Sequence, residues 1–338
     1  MSPEFEVRDT SVADAEPLRE LAHKSPWAPL RYLSMFGHEV AGEVLANQVA
    51  VATEGPGVHL TTTAPGSPSV EAQVSVVPVP DLEAHFGMPF HEAGTLLSRA
   101  EGTDRREAVE AMLDRALSRL DAPGAPGVVM CRVEADDVQG LLGAEAAGFR
   151  VLETTVTFVN DLLRADRNPA PPDVEVRVVR PGTDPVDPEL FGPLRGQPSQ
   201  VSDSHYHRDP RLPDDRCDAL YERLFERALD GVGADVVVMR MHESRIASLG
   251  SWRHWGELEP YGVSMAGSAF GFRASWAPPG NQAVVSRVTG EPITGNRLLE
   301  WSTQASNLPM VNMICRQPSM RLCRTSYVLH CWTDRRWE

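Results

Sequence analysis

The sequence predicts an α/β protein, a mixed sheet with helices packed on it, built as two blocks of one type in tandem. Three observations carry this. From residue 71 the apolar pattern switches between period two and period 3.6 in the order β-β-α-β-α-β. The second half runs strand, helix, strands, helix, strand, which is the same kind of block. A Pro-rich polar segment, "RADRNPAPPDVE", lies between them and reads as a linker. The 338 residues suit two domains, and a hydrophobic content of 42% suffices for packed cores.

Residues 1–70 form a helical segment assigned to the first domain: "VADAEPLRELAHK" and "APLRYLSMFGHEVAGEVLANQVA" carry apolar residues at helical spacing. "TEGPGVHLTTTAPGSPS" breaks that pattern and sets a boundary near residue 70. The first domain spans 71–165. Its strand "AQVSVVPV" precedes "LEAHFGMPFHEAGTLL", a loop and second strand. A helix follows, "TDRREAVEAMLDRALSRL", with Thr103 or Asp104 as N-cap and Met112, Ala116 and Leu120 on an apolar stripe. Then come the buried strand "GVVMCRV", a helix ended by Gly148, and the strand "RVLETTVTFV". The linker occupies 166–176 and the second domain 177–338. The second domain holds the strand "VEVRVVRP", a helix from about Asp214 with Cys217, Leu220, Leu224 and Leu229 near its inner face, and the hairpin "ADVVVMRMHESRIASLGSWRHW". It closes with "GSAFGFRASWA", "NRLLEWSTQ", a helix from Pro309 and the strand "RTSYVLHCW".

A formal net charge of −15 argues against nucleic acid or an acidic membrane as partner. No apolar run nears the roughly 18 residues of a membrane span, and the acidic start lacks a signal core, so a cytoplasmic protein is expected. Five cysteines, an odd number with no CxxC, suggest neither a disulfide frame nor a zinc site, and no metal is expected.

"DDVQGLLGAEAAGFRVLETTVTFVNDL" and "VPVPDLEAHFGMPFHEA" resemble parts of the first domain of two-domain GNAT acyltransferases, similar to the dTDP-fucosamine acetyltransferase type. "SDSHYHRDPRLPDDRCDALYERLFERAL" resembles the acceptor-side loop and first helix of the second domain, and "STQASNLPMVNMICRQPSMRLCRTSYVLHCW" its last strand, helix and strand. Together they cover roughly residues 75–338. The resemblance implies that acetyl-CoA or another acyl-CoA binds in a splayed sheet. Its pyrophosphate would lie on the amides of a Gly-rich loop that opens a helix. A small-molecule amine would attack the thioester while a carboxylate, His or water takes its proton. The partner is then a small amine, and the chain a monomer or homodimer.

The chain departs from the family form, which is Arg or Gln, two residues, Gly, one residue, then Gly or Ala. After "FGFRASW" it reads "APPGNQAVVSRVTGEPITGNRLLEW", where Gly280 and Gln282 are the candidate cofactor donors and the β-branched Val284, Val285 and Val288 follow. In the first block "AEGTDRREAVEAML" lacks the glycines too, and Arg105 and Arg106 read either as phosphate partners or as surface arginines. The usual Tyr after Asn307 is replaced by Ile314 and Cys315; Cys315 is a thiol acid or a small buried thiol.

Candidate catalytic residues are His205 and His207, whose imidazoles titrate near neutrality, and Glu300 on the strand before "STQASN". Asn307 is the further cofactor candidate, either bonding the pantetheine arm or capping the next helix. Asp203, Tyr206, Trp252 and Trp255 are candidate substrate contacts, with a polar cap and a plain hairpin as the alternatives for their two segments. Three functions are compatible with these residues: an acyl-CoA-dependent N-acyltransferase on an amino sugar or secondary-metabolite intermediate; a fold redeployed for CoA-independent cyclisation or isomerisation; and a non-catalytic binding protein.

Overall fold

A computed structural model describes residues 5–27, 29–63, 69–94, 96–121, 125–162, 175–181, 183–184, 189, 204–273, 297–317 and 319–337. It is a mixed α/β structure, as the sequence predicts. Two compact units emerge: the first comprises residues 1–155, 208–212 and 324–338, the second residues 156–207 and 213–323. The first therefore takes residues 208–212 and 324–338 from the half of the sequence expected to form the second domain. The expected linker lies mostly outside the described residues, and a strand begins at Glu175.

The first unit begins with β1 (Glu6–Asp9), α1 (Ala15–Lys24) and α2 (Ala41–Glu54), with 3-10 turns at Val12–Asp14 and Arg31–Phe36. Next come β2 (Val58–Thr63) and β3 (Val70–Pro78). The first 70 residues are thus not only helical. β1 and β2 pair antiparallel, and β2 pairs β3, so the segment read as a break in pattern is a strand of the sheet. The alternation missed there is short: a Thr run has β-branched stiffness without apolarity. After α3 (Pro80–Phe86) come β4 (Phe90–Ala93), β5 (Leu97–Ser98), α4 (Gly102–Leu120), β6 (Val128–Glu134) and α5 (Val138–Ala146). β13 (Met320–Trp332) supplies the last strand, running antiparallel to β6 from Ser326↔Glu134 to Trp332↔Val128. The order is β1-β2-β3-β4-β6-β13, with β5 on β3. The core lies under α4, where Ala108, Val109, Met112, Leu113, Ala116 and Leu117 meet Val74, Val129, Cys131 and Val133. The expected N-caps Thr103 and Asp104 are instead inside α4, whose N-cap is Glu101.

Segment 208–212 is stitched to β13 by a buried polar knot. Asp209 bonds His330 Nδ1 at 2.8 Å and accepts from Trp332 Nε1 at 3.1 Å, while Arg211 stacks on Trp332 and pairs Asp334 at 2.7 Å.

The second unit orders the 156–161 part of β7 (Arg150–Asp161), β12 (Leu298–Gln304), β11 (Met265–Arg273), β10 (Arg245–His254), β9 (Val236–His242) and β8 (Glu175–Val179) side by side. Two helices join them, α6 (Asp214–Leu229) and α7 (Leu308–Cys315). Among the described side chains of α6, Cys217, Leu220, Phe225 and Ala228 are buried, whereas Leu224, expected inside, is exposed. Ile314 is the buried residue of α7 and Cys315 is exposed, so the buried-thiol reading of Cys315 does not hold. Pro318 lies outside the described residues.

The N-terminal strand is pinned by one carboxylate. Asp14 accepts from Arg8 at 2.5 and 2.8 Å and from the Ser11 amide at 2.7 Å. The Arg8 guanidinium holds its carboxyl at about 2, well below the usual carboxylate range. A depressed carboxylate stabilises the fold above its unfolded pKa and stops doing so as pH falls through its folded pKa. Asp14→Asn should therefore cost roughly 1–2 kcal/mol at pH 7, a figure already reduced for the part-exposed Arg8. Urea melts of the two proteins should converge as pH approaches 2; a gap that persists there would show that the charge is not what matters.

Candidate active site

In the first unit β4 and β6 run parallel from Phe90↔Val128 to Ala93↔Cys131, and their ladder stops there. Beyond that point lies a cavity of about 200 Å³. Strand alternation sorts its walls. Ala93 and Val133 face the α4 core, while Glu92, Arg132 and Glu134 stand on the opposite face.

Arg105 forms the wall on the α4 side. It is 1% exposed, so it is neither a surface arginine nor free for a phosphate. Its Nε donates to Asp137 Oδ1 at 2.6 Å, its Nη2 to Asp137 Oδ2, and the same Nη2 to the Leu96 carbonyl at 3.2 Å. Trp27 packs on the guanidinium, 5.2 Å from ring centroid to Cζ. Asp137 is also the N-cap of α5, accepting from the Gly140 amide at 2.9 Å. Only glycine fits at 140, because a Cβ there would sit 2.1 Å from Asp137 Oδ2.

Glu134 ends β6 and pairs with Arg324 through Oε1, with Nε at 2.7 Å. Burial pushes its carboxyl above the ordinary value; Arg324 opposes this, and Asp136 and Asp137 add to it. A carboxylate with raised pKa beside a cavity is suited to accept a proton.

The second unit repeats the geometry with different side chains. β11 and β12 are parallel from Met265↔Leu298 to Gly267↔Glu300. The strand end Gln304–Asn307 matches Glu134–Asp137: in each the amide of the fourth residue bonds the carbonyl of the first at 3.0 Å, and the fourth side chain caps the next helix. Asn307 Oδ1 accepts from the Met310 amide at 3.3 Å, the capping arrangement of the two expected for it.

The other sequence-based candidates fall as follows. Glu300 is half-buried at the end of the described β11–β12 ladder, opposite Gly267. Trp255 lies across Gly267, where a Cβ would come within 2.5 Å of its Nε1, so it stands beside the same parting point. Trp252 does not line a pocket: it is 1% exposed, edge-on to Trp301 at 5.5 Å in the core with Val236, Val238 and Leu299. The register shift between Ser251 and Trp252 accompanies this inward placement. His207 bonds Ser204 at 2.8 Å and Asp218 at 3.2 Å, so both ring nitrogens are engaged, and its ring stacks on Tyr221. His205 is buried against Tyr206. Asp203, Gly280, Gln282 and the valines at 284, 285 and 288 lie outside the described residues. Among the described residues no group of three or more His, Cys, Asp or Glu could hold a metal ion, and no helix is long and apolar enough to cross a membrane.

Sequence reading missed Glu92, Glu134, Asp137 and Arg99. Counted from Arg99, the first block reads Arg, two residues, Gly102, one residue, Asp104, one position short of the family pattern. Aligning Glu134–Asp137 on Gln304–Asn307 would have exposed the carboxylates.

No protein-family model matches the chain, and no curated protein matches it. Among solved structures, a GCN5-related N-acetyltransferase from Sphaerobacter thermophilus is 16% identical, with 98% of this chain and 97% of that chain covered at a TM-score of 0.58. A tandem GNAT protein from the clavulanic acid biosynthesis pathway, in a structure without AcCoA, is 12% identical over 98% and 99% of the chains at 0.52. The fold is a tandem GNAT fold. At these identities the likeness speaks for the fold alone, and in it the parted strands β4/β6 and β11/β12 occupy equivalent places in the two copies.

Replacing Arg105 by Met strands a buried carboxylate and should destabilise the protein by about 3–5 kcal/mol. Arg105→Met with Asp137→Asn should recover most of that loss in thermal melts. Equal losses in the single and double variants would show that the ion pair is not the binding element.

Proposed function

We propose that the protein is an acyl-CoA-dependent N-acyltransferase acting on a small amine, in the range of amino sugars and secondary-metabolite intermediates, and that the first unit carries the reaction. The observation that supports this most is Glu134, a carboxylate of raised pKa beside the cavity at the parting of β4 and β6.

The residues of that unit fit the cofactor's arm in the gap past Ala93 and Cys131. At the diphosphate end Arg99 and Gly102 keep two positions of the pattern, and Gly102 sits at φ +56 with open space around it. Asp104 replaces the small residue, and with Glu101 it adds negative charge to that end. Bound acyl-CoA supplies an activated thioester, whose acyl group forms the amide bond as the carbon–sulfur bond breaks and the thiol leaves.

Glu134 takes the proton from the ammonium form of the acceptor. Desolvation raises its proton affinity and so narrows the mismatch with an amine. Arg324 grips Oε1 and fixes the carboxylate, leaving Oε2 for the proton. A second reading, CoA-independent chemistry in the same fold, draws support from Glu101 and Asp104 at the start of α4.

Glu134→Gln should lower kcat about 100-fold or more. The acidic limb of the wild-type pH profile, where rate rises as Glu134 ionises, should vanish in the variant; an unchanged limb assigns the base elsewhere. Asp104→Ala should tighten acyl-CoA binding roughly two- to fivefold in titration calorimetry. Failure of both wild type and Asp104→Ala to bind acetyl-CoA or longer acyl-CoAs sinks the transferase reading and leaves the second.

A further inference from the structure

We infer that the acceptor of the first unit carries a carboxylate as well as its amine, so that the substrate class is a small zwitterion of the amino-acid type. The inference takes the site from the acyl-transfer reading, and its binding test stands apart from that reaction.

Six ionisable groups border the cavity, three carboxylates and three guanidiniums. Four are spent in pairs, Arg105 with Asp137 and Glu134 with Arg324. Glu92 and Arg132 remain, with no ion pair to each other or to another described residue. They stand on one face of the sheet, on the two strands whose ladder has just ended. Glu92 is half-buried and Arg132 exposed, so water solvates the guanidinium when the site is empty; a simple amine would answer Glu92 alone. A carboxylate alone would do the reverse. A molecule bearing both charges answers both, and a planar carboxylate suits the guanidinium fork.

A second, independent observation points to acceptor oxygens. Arg105 Nη1 and Trp27 Nε1 are buried donors without an acceptor among the described residues, and both side chains border this cavity. Buried donors are nearly always paired, and an unpaired one is costly. A hydrocarbon amine brings no acceptor; a carboxylate brings two oxygens. The volume, about 200 Å³, suits a molecule smaller than the drug-sized ligands of most pockets.

The test uses the full chain and matched pairs: alanine with ethylamine, serine with ethanolamine, 4-aminobutyrate with propylamine. Titration calorimetry should show the carboxylated member binding at least about tenfold tighter in one or more pairs. Arg132→Gln, checked for folding by circular dichroism, should shrink that ratio to about threefold or less, and Arg132→Lys should restore part of it, whereas Glu92→Gln should weaken both members of a pair alike. Equal affinities within every pair, absence of binding by every zwitterion, or a ratio untouched by Arg132→Gln overturns the inference. Turnover with acetyl-CoA separates the two ideas. Arg132-dependent binding without acylation by any acyl-CoA keeps the ligand class and ends the transferase reading. Equal kcat/KM for both members of each pair does the opposite.

Discussion

The ion pair between Arg105 and Asp137 joins four things that would otherwise be held separately. It fixes the first turn of α4, caps α5, satisfies the Leu96 carbonyl past the end of β4, and seats Trp27 from the N-terminal segment. The need for it arises from the parting of two parallel strands. Where a ladder stops inside a protein, backbone groups lose their partners and something must replace them. A buried pair is a costly replacement unless its remaining bonds are made, and here Asp137 has the Gly140 amide and Arg105 the Leu96 carbonyl. What is left over, one guanidinium nitrogen, joins Trp27 Nε1 as a buried donor at the cavity without an acceptor among the described residues.

The second unit meets the same parting differently. Its cap is Asn307, a neutral side chain, which satisfies the helix end without calling for a cation. One change from carboxylate to amide thus separates two copies of one local geometry. In the first, the charge of the cap draws an arginine across the cleft; in the second, the aromatic ring of Trp255 lies against Gly267 at the parting point. Equivalent backbone positions need not carry equivalent chemistry, which is why site residues cannot be transferred between the two copies by position alone.

Much of the fold was legible because the strong signals are local. The stripe of α4 and the run of β6 read correctly from periodicity; for Asn307 capping was one of two readings, and it is the arrangement present. β1 and β2 were not legible: four residues and a Thr run give a strand no apolar alternation, and what stabilises them is pairing with partners distant in sequence. The site was less legible than the fold. Arg105 looks like any helix-surface arginine in sequence, and only its distance from Asp137, 32 residues on, makes it a core residue. Trp252 stood in sequence either as a substrate contact or as part of a plain hairpin, and β10 turns it inward onto Trp301. Glu134 and Asp137 hid in an acidic run, "EADD", where nothing distinguishes the half-buried and the buried carboxylate from the exposed Asp136.

The first unit completes its sheet with β13, and Arg324 reaches Glu134 across a sequence separation of 190 residues. That separation has a meaning for synthesis on the ribosome. At about 5–20 residues per second, roughly 10–40 s pass between the emergence of β6 and that of the strand that covers its edge. During that interval the nascent chain carries an apolar strand, "VVMCRV", with one side unpaired. The proton acceptor of the proposed reaction also lacks its arginine until then. Assembly of the sheet edge and assembly of the site are therefore a single late event, set by the synthesis of β13.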